Sequence, residues 1–158
     1  MPTQEPDRQS TDSFESLQHR HQLILAAAGE GIYGLDHEGR TTFVNDAART
    51  ILGGCEKDLL GKGLHDIHHH SHADGSHYPR EEWPIYAALR DGEVHQVDNE
   101  VFWHADGHCI AVEYTSTPIM ENNQVTGAVV VFRDISERLR AEQEKQQAFE
   151  EIQQLKEA

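Results

Sequence analysis

The first apolar pattern in the chain is typical of an amphipathic helix. From Ser13 onward, apolar residues recur at spacings of three and four, which places them on one helical face. Their positions are Phe14, Leu17, Ile24, Leu25 and Ala28. We predict that this helix ends at Gly29 and Gly31. Residues 1–12 are polar and contain proline, so their apolar surface is too small to offset the entropy of ordering, and we expect a flexible tail there.

The spacing of apolar residues then changes from helical to strand-like. Two short apolar runs, over residues 32–35 and 41–44, are separated by acidic residues and a glycine that favour a turn. This arrangement predicts a β-hairpin. The stretch NDAARTILG follows, with Asn45 or Asp46 as a helix N-cap and Gly53 as a stop. It predicts a short helix directly after the hairpin.

The middle of the chain favours helices, and the part after it favours three strands. KDLLGKGLHDI predicts a short helix, and REEWPIYAALRDGE predicts a longer one from about Glu81 to Arg90, with Pro84 tolerated in its first turn. The turns ADGH and ENNQ then separate three β-like runs, VHQVDNEVFWH, CIAVEYTSTPIM and QVTGAVVVFRD. Two strands at the start and three at the end predict an α+β fold with a five-stranded antiparallel sheet and helices on one face.

The last part of the chain favours one long helix. From Ile135 to the end there is neither Gly nor Pro, and Glu, Gln, Lys, Arg, Ala and Leu dominate. A weak heptad seam follows this helix, with one core position occupied by Arg138, Lys145 and Ile152 and the other by Ala141, Ala148 and Leu155. Such a seam would pair with its copy in a second chain, so we expect a homodimer. The alternative is a single solvated helix.

Charge and composition narrow the partners that we expect for the chain. The formal net charge is −15, because 28 Asp and Glu outnumber 13 Lys and Arg, and it repels nucleic-acid phosphates and anionic lipids. We therefore expect no direct contact with nucleic acid or membrane. The first residues lack the segments of a signal peptide, and no run of about eighteen apolar residues occurs, so we expect a cytoplasmic location. Cys55 and Cys109 lie outside any CxxC spacing, which is typical of reduced thiols.

Over residues 14–138 the order of predicted elements resembles the PAS family of sensor domains. The stretch GIYGLDHEGRTTFVNDAARTILG is similar to the PAS opening of strand, acidic turn, strand, Asn and short helix, and VTGAVVVFRDISER is similar to the last strand and exit of that family. The resemblance implies a sensor domain over residues 13–134 and a signalling linker helix over residues 135–158. No run similar to the NCRFLQ of flavin photoreceptors occurs, so a covalent flavin is not expected.

The PAS resemblance also implies a ligand cavity between the sheet and the helices. Large apolar side chains would form its walls, and we assign their strand faces by alternation alone. From the sheet we expect Tyr33, Val101, Trp103, Val112, Tyr114 and Val130. From the helices we expect Leu64, Trp83, Ile85 and Leu89. The identity of the ligand stays open.

Residues 65–79, HDIHHHSHADGSHYP, hold six of the twelve histidines of the chain. Three interpretations of this histidine loop are open: a structural loop, a metal or haem site, and a proton-sensing cluster. For the second interpretation, the spacing favours iron, zinc or haem bound by His69, His70 and His72. The histidines nearer the strands are expected to be sheet-surface or turn residues; these are His95, His104 and His108.

Two functions from different classes agree with the sequence. In the first, the domain binds a small molecule or cofactor and its occupancy biases the exit helix. In the second, it is a constitutive dimerisation module with a filled core. The sequence has no phosphate-binding glycine loop and no nucleophile elbow, so we expect no catalysis in this chain.

The end of the chain suggests which output domain would follow in the same polypeptide. The run AFEEIQQLKEA has no helix terminator. It resembles the linker that joins PAS sensors to AAA+ ATPase activators working with the bacterial alternative sigma factor. It resembles less closely the linker before a histidine kinase dimerisation helix. Either output requires two or more copies, which agrees with the expected homodimer.

Overall fold

The computed structural model describes residues 16, 17, 19–21, 23, 24, 29–54 and 59–157. Five strands form one antiparallel sheet in the order β2-β1-β5-β4-β3. The strands are β1 (Glu30–Asp36), β2 (Thr41–Val44), β3 (His95–Trp103), β4 (Cys109–Glu121) and β5 (Gln124–Asp134). The helices are α1 (Asp46–Leu52), α2 (Leu64–His68), α3 (Pro84–Asp91) and α4 (Ser136–Glu157), with a short 3-10 helix at Arg80–Glu82. The predicted α+β architecture is confirmed.

Two of the sequence predictions fall largely outside the described residues. The tail over residues 1–12 is one of them, and part of the first amphipathic helix is the other. Leu17 and Ile24 are helical and exposed, whereas Phe14, Leu25 and Ala28 are not among the described residues, and neither is Cys55. Cys109 is a free and exposed thiol.

Asn45 explains why the hairpin and the first short helix form together. Its side-chain oxygen accepts the backbone N–H of Ala48, which caps α1, and also the N–H of Ile32 in β1, each at 2.9 Å. Its amide group donates to the carbonyl of Glu30 at 3.3 Å. One polar residue therefore satisfies the open end of α1 and ties it to β1. The helix ends at Gly53, whose φ of 77° is the left-handed conformation that glycine adopts without strain.

The core lies between the sheet and the helices. On α3 the buried residues Ile85, Ala88 and Leu89 are spaced three and four apart, so one face of the helix packs toward the sheet. The largest fully buried side chains include Trp83, Tyr33, Phe102, Phe132, Leu35, Leu52 and Leu59. Burying each large apolar side chain contributes about 1.5–3 kcal/mol relative to leaving it in water.

The inward face of β3 differs from the one that alternation predicts. Phe102 is 2% exposed and belongs to the core, whereas its neighbours Val101 and Trp103 are half-buried. The Trp103 ring instead stacks on His70, and its indole N–H donates to the carbonyl of Ser71 at 2.9 Å. A register shift between Val97 and Glu100 interrupts the pairing of β3 with β4. A bulge of this kind resets the alternation, and the sequence pattern alone does not reveal it.

Helix α4 begins at the end of β5 and then leaves the core. Ile135 is 2% exposed, and its N–H donates to the carbonyl of Ala111 at 2.9 Å. Arg138 forms an ion pair with Glu113 at 3.1 Å. No residue within α4 itself is buried. The long helix predicted from Ile135 onward is therefore present over 136–157, with Phe149, Ile152 and Leu155 exposed. None of the described helices combines the length and apolarity that crossing a bilayer requires.

Candidate functional site

The histidine loop places one imidazole at the centre of the core. His69 follows the last residue of α2 and is 1% exposed. The indole N–H of Trp83 donates to its Nδ1 atom, so a neutral His69 ring carries its proton on Nε2. That nitrogen lies 3.1 Å from Glu100 Oε2, although the two groups are not aligned for a good hydrogen bond. The Trp83 indole therefore holds the His69 ring from one side, and the Glu100 carboxylate lies on the other.

Glu100 brings a carboxylate into the same region from β3. Its side chain is 14% exposed. Burial would raise its pKa, but the neighbouring His69 imidazole and the Tyr114 and Tyr78 hydroxyls outweigh burial and hold the pKa of Glu100 below its ordinary value. Burial, together with the charge of Glu100, raises the pKa of both tyrosines. The site is therefore an ionised carboxylate surrounded by neutral donors.

Aromatic rings enclose His69 on several sides. The ring centroids lie 4.8 Å away for Phe102, 4.9 Å for Tyr78, 5.4 Å for Trp83 and 5.9 Å for Tyr114. Burial lowers the pKa of His69, against the opposing effect of Glu100. The imidazole is therefore neutral near pH 7, and we call His69, Tyr78, Trp83, Glu100 and Tyr114 the His69 cluster.

Several buried polar atoms around the His69 cluster have no hydrogen-bond partner among the described residues. The Nδ1–H of His68 donates to the carbonyl of Trp103 at 2.5 Å, which leaves its Nε2 lone pair unpartnered. Three further groups also lack a hydrogen-bond partner there: both ring nitrogens of His65, the Tyr114 hydroxyl and the Ser116 hydroxyl. Buried polar atoms are usually partnered, so such a concentration identifies a place for polar recognition. The narrow space beside it, lined by Tyr33, Leu52, His68, His69 and Phe102, is too small to hold a water molecule.

Most of the residues that we expect around a ligand cavity do lie in the core. The buried ones are Tyr33, Val112, Tyr114 and Val130 from the sheet and Trp83, Ile85 and Leu89 from the helices. Val101 and Trp103 are half-buried, for the reason given above. Leu64 opens α2, and its side chain is outside the described part of the structure. The ligand-binding role of these residues stays a prediction.

Glu100 and Phe102 are not among the site residues predicted from the sequence, and His69 is predicted there in another role. Alternation that turns Val101 and Trp103 inward leaves Phe102 on the opposite face, and a charged residue such as Glu100 in a strand usually faces water. His69 was named as a metal ligand, not as part of the core. The nearest available signal was the pattern of β3 itself, where Glu100 and Phe102 are two residues apart and therefore share a face.

The three predicted metal ligands contact different partners. His69 lies in its cluster, His70 stacks on Trp103 with ring centroids 5.5 Å apart, and His72 stacks on Tyr78 at 4.2 Å. His70 Nδ1 also lies 2.6 Å from the Ser71 hydroxyl. Iron, zinc or haem at these histidines stays a prediction. Within the described ranges, three possible metal ligands lie close together in the turn between β3 and β4, namely His104, Asp106 and His108.

The architecture and the buried site define a class of protein. A five-stranded antiparallel sheet with short helices on one face and a long exit helix is the arrangement of a PAS sensor domain. A family model described as PAS domain matches residues 29–137. The chain belongs to the PAS domain family.

Individual relatives agree with this assignment. The chain is 26% identical over 134 residues to the sensor protein kinase WalK of Staphylococcus haemolyticus. The match covers 84% of this chain and 20% of WalK. Among solved structures, a PAS domain of a Colwellia psychrerythraea protein matches 77% of this chain and 98% of its own, with a TM-score of 0.59 and 20% identity. A PAS domain from a two-component sensor histidine kinase matches 80% and 99%, with a TM-score of 0.57 and 17% identity.

These likenesses differ in what they show. The solved structures share the fold with this chain. The likeness to sensor protein kinases supports a signal-transduction context for the domain. The chain spans about a fifth of the length of the curated relatives that it matches.

Proposed function

We propose that the domain binds a small polar molecule at the His69 cluster and relays its presence through α4 to an output domain in the same polypeptide. The observation that carries the proposal is one row of the sheet. Glu100 of β3 pairs with Val112 of β4, and Val112 pairs with Asp134 of β5. The Glu100 carboxylate and the last residue of β5, two positions before the exit helix, therefore lie on one cross-strand row.

The unpartnered atoms define the chemistry of the proposed ligand. His68 Nε2 offers a lone pair, so it favours a donor on the ligand. The Tyr114 hydroxyl can donate or accept. A compact molecule with both donors and acceptors, and with a flat or apolar part to lie against the aromatic rings, matches this environment. Its entry requires a shift of side chains, because the space that adjoins the cluster is too small even for a water molecule.

The proposed relay uses contacts at the start of α4. The Asp134 carboxylate accepts the N–H of Ser136 at 2.9 Å. Ile135 is hydrogen-bonded to Ala111, and Arg138 is paired with Glu113, both in β4. A displacement of Glu100 along the row would therefore change the register or angle of the helix. A ligand achieves this only to the extent that it binds one arrangement better than the other.

The output and the assembly belong to the same proposal. The likeness to a sensor kinase supports a histidine kinase as the output domain, and the linker resemblance supports an AAA+ transcription activator as the second candidate. Catalysis would then lie outside this chain, in the cytoplasm. The exposed Phe149, Ile152 and Leu155 on α4 support a homodimer in which the exit helices pair.

The test compares what the chain carries after purification from cells under native conditions. Tyr114→Phe removes one unpartnered hydroxyl and keeps the ring, while Thr117→Val alters an exposed position on the same strand. Mass spectrometry of extracted small molecules should find one compound in the unaltered chain and in Thr117→Val, and less of it in Tyr114→Phe. Adding the compound back should shift the amide resonances of Ile135 and Arg138. Equal retention by Tyr114→Phe, or unmoved resonances, would contradict the proposal.

A second candidate function is a constitutive dimerisation module with no ligand. The tight packing around His69 favours it, since four aromatic rings already lie within 6 Å of the imidazole ring. This function predicts a dimer by sedimentation whose stability is the same with and without any extracted compound. It also predicts that Phe149→Gln weakens the dimer while Tyr114→Phe does not.

A further inference from the structure

The turn between β3 and β4 gathers two imidazoles and a carboxylate. His104, Asp106 and His108 each offer a ligand atom, and these atoms all lie within 4.8 Å of one another. His104 Nδ1 is 3.1 Å from Asp106 Oδ1, and His108 Nδ1 contacts the same oxygen. The two rings stack, with centroids 4.6 Å apart and planes inclined by 18°. The possible ligand atoms of His104, Asp106 and His108, which are alternate residues of a five-residue turn, therefore converge.

Backbone hydrogen bonds hold the turn in this form. The N–H of His104 donates to the carbonyl of His108 at 2.8 Å, and the N–H of Gly107 donates to the carbonyl of His104 at 2.9 Å. The N–H of His108 donates to Asp106 Oδ1 at 3.0 Å. Gly107 has a φ of +100°, which strongly favours glycine. These backbone hydrogen bonds therefore hold the three donor residues close together in a closed turn.

The turn is also anchored to the rest of the domain. The N–H of Ala105 donates to the carbonyl of Leu52, at the end of α1, at 2.9 Å. The His104 ring lies over Gly53 so closely that a Cβ atom there would be 2.2 Å from it. The His104 side chain is 24% exposed as a result. Because one of the three donors is already ordered, ligand binding would lose less conformational entropy than at a free surface histidine.

The state of the nitrogens suits metal coordination. His104 Nδ1 accepts the N–H of Asp106 at 3.1 Å, so this nitrogen is unprotonated, as a metal ligand must be, and a bound metal ion would replace that hydrogen bond. A four-coordinate ion with bonds of about 2.0–2.1 Å needs ligand atoms about 3.3 Å apart. The 3.1 Å separation of His104 Nδ1 and Asp106 Oδ1 is already close to that value. The net charge of −15 favours cations generally.

We propose that His104, Asp106 and His108 form a binding site for a divalent first-row transition ion of the zinc class. The donors would be one nitrogen of each imidazole and one carboxylate oxygen, with water completing the coordination. Two imidazoles and a carboxylate are a donor set that suits Zn²⁺, Ni²⁺ or Fe²⁺ and disfavours Ca²⁺ and Mg²⁺, which prefer oxygen alone. The site shares no ligand atom with the histidine loop or with the function proposed above.

The experiment measures Zn²⁺ binding to the untagged full chain by calorimetry and native mass spectrometry. The double variant His104→Asn with His108→Asn should weaken the tightest Zn²⁺ site by at least about 100-fold, since losing even a hydrogen-bonded partner of a ligand costs about 10- to 100-fold. Asp106→Asn should weaken it less, because it keeps one oxygen donor. The amide resonances of Ala105 and Gly107 should shift on addition of Zn²⁺ to the unaltered chain.

Matched variants separate this site from the other histidines of the chain. His70→Asn with His72→Asn removes two imidazoles of the histidine loop and should leave the tightest site unchanged. Circular dichroism checks that each variant is folded. The proposal would be overturned if the loop variant lost the tight site, or if the turn variant bound Zn²⁺ as tightly as the unaltered chain.

Discussion

Replacing His69 by Leu tests whether the His69 cluster stabilises the fold as the hydrogen bonds imply. Leucine has a similar volume but cannot accept the indole N–H of Trp83, which is 1% exposed and would be left without a partner. A buried unpaired donor costs about 1–3 kcal/mol, and Glu100 also loses the polar neighbour that lies 3.1 Å from its Oε2 atom. The imidazole no longer has to be desolvated, which offsets part of this. We expect a net loss of about 1–3 kcal/mol, a large part of the stability of a small domain.

Urea unfolding followed by far-ultraviolet circular dichroism measures this loss. Trp83→Phe combined with His69→Leu removes both partners, so the double-mutant cycle should show a coupling of about 1–2 kcal/mol. His37→Leu is the control, because its side chain is 67% exposed, and it should change stability by less than about 0.5 kcal/mol. A loss for His69→Leu as small as that of the control, or strict additivity with Trp83→Phe, would refute the reasoning.

Three further predictions follow from the fold and the site. Burial lowers the pKa of His69 in the folded chain, so unfolding takes up a proton, and the stability that neutral His69 contributes is complete above about pH 6.5 and decreases as the pH falls below that value. Between pH 7.5 and 5.5 the urea midpoint of the unaltered chain should therefore drop by more than that of His69→Leu. Equal drops in the two proteins would contradict this prediction. Asn45→Ala should cost about 1–2 kcal/mol in urea unfolding, because the cap of α1 and the bond to β1 are lost together; a change below about 0.5 kcal/mol would show that water replaces both bonds. Phe149→Gln with Ile152→Gln should weaken self-association in sedimentation while leaving the unfolding transition intact, since neither side chain is part of the core; unaltered association would exclude α4 as the contact.

Local chemistry explains why most elements could be predicted from the sequence. The turn before β2 forms because the Asp36 carboxylate accepts the N–H of Glu38 and of Arg40, both within four residues. The cap of α1 forms because Asn45 reaches an N–H three residues ahead. Buried positions alternate from Ile110 to Ser116 in β4 and from Ala128 to Phe132 in β5, which is the period of a strand with one buried face. The PAS assignment followed from the order of such elements.

The candidate site depends on contacts between distant residues. Four consecutive positions in the histidine loop, 68–71, include three imidazoles, and nothing in their order distinguishes them. His69 is central because α2 ends there, so that its ring meets Trp83, 14 residues later, and Glu100 on β3. The same holds for the turn at 104–108, where His104 and His108 are brought together by hydrogen bonds that close the turn.

By itself the sequence determined the type and order of the elements, because capping, turn formation and alternation act over a few neighbouring residues. Only the tertiary structure decided which polar side chains are buried and paired. The irregular pairing of β3 between Val97 and Glu100 turned Glu100 and Phe102 toward the helices, and no local rule signals such a shift. The burial of a carboxylate beside an imidazole becomes favourable only when donors from several elements surround both groups, and that condition exists only in the assembled fold.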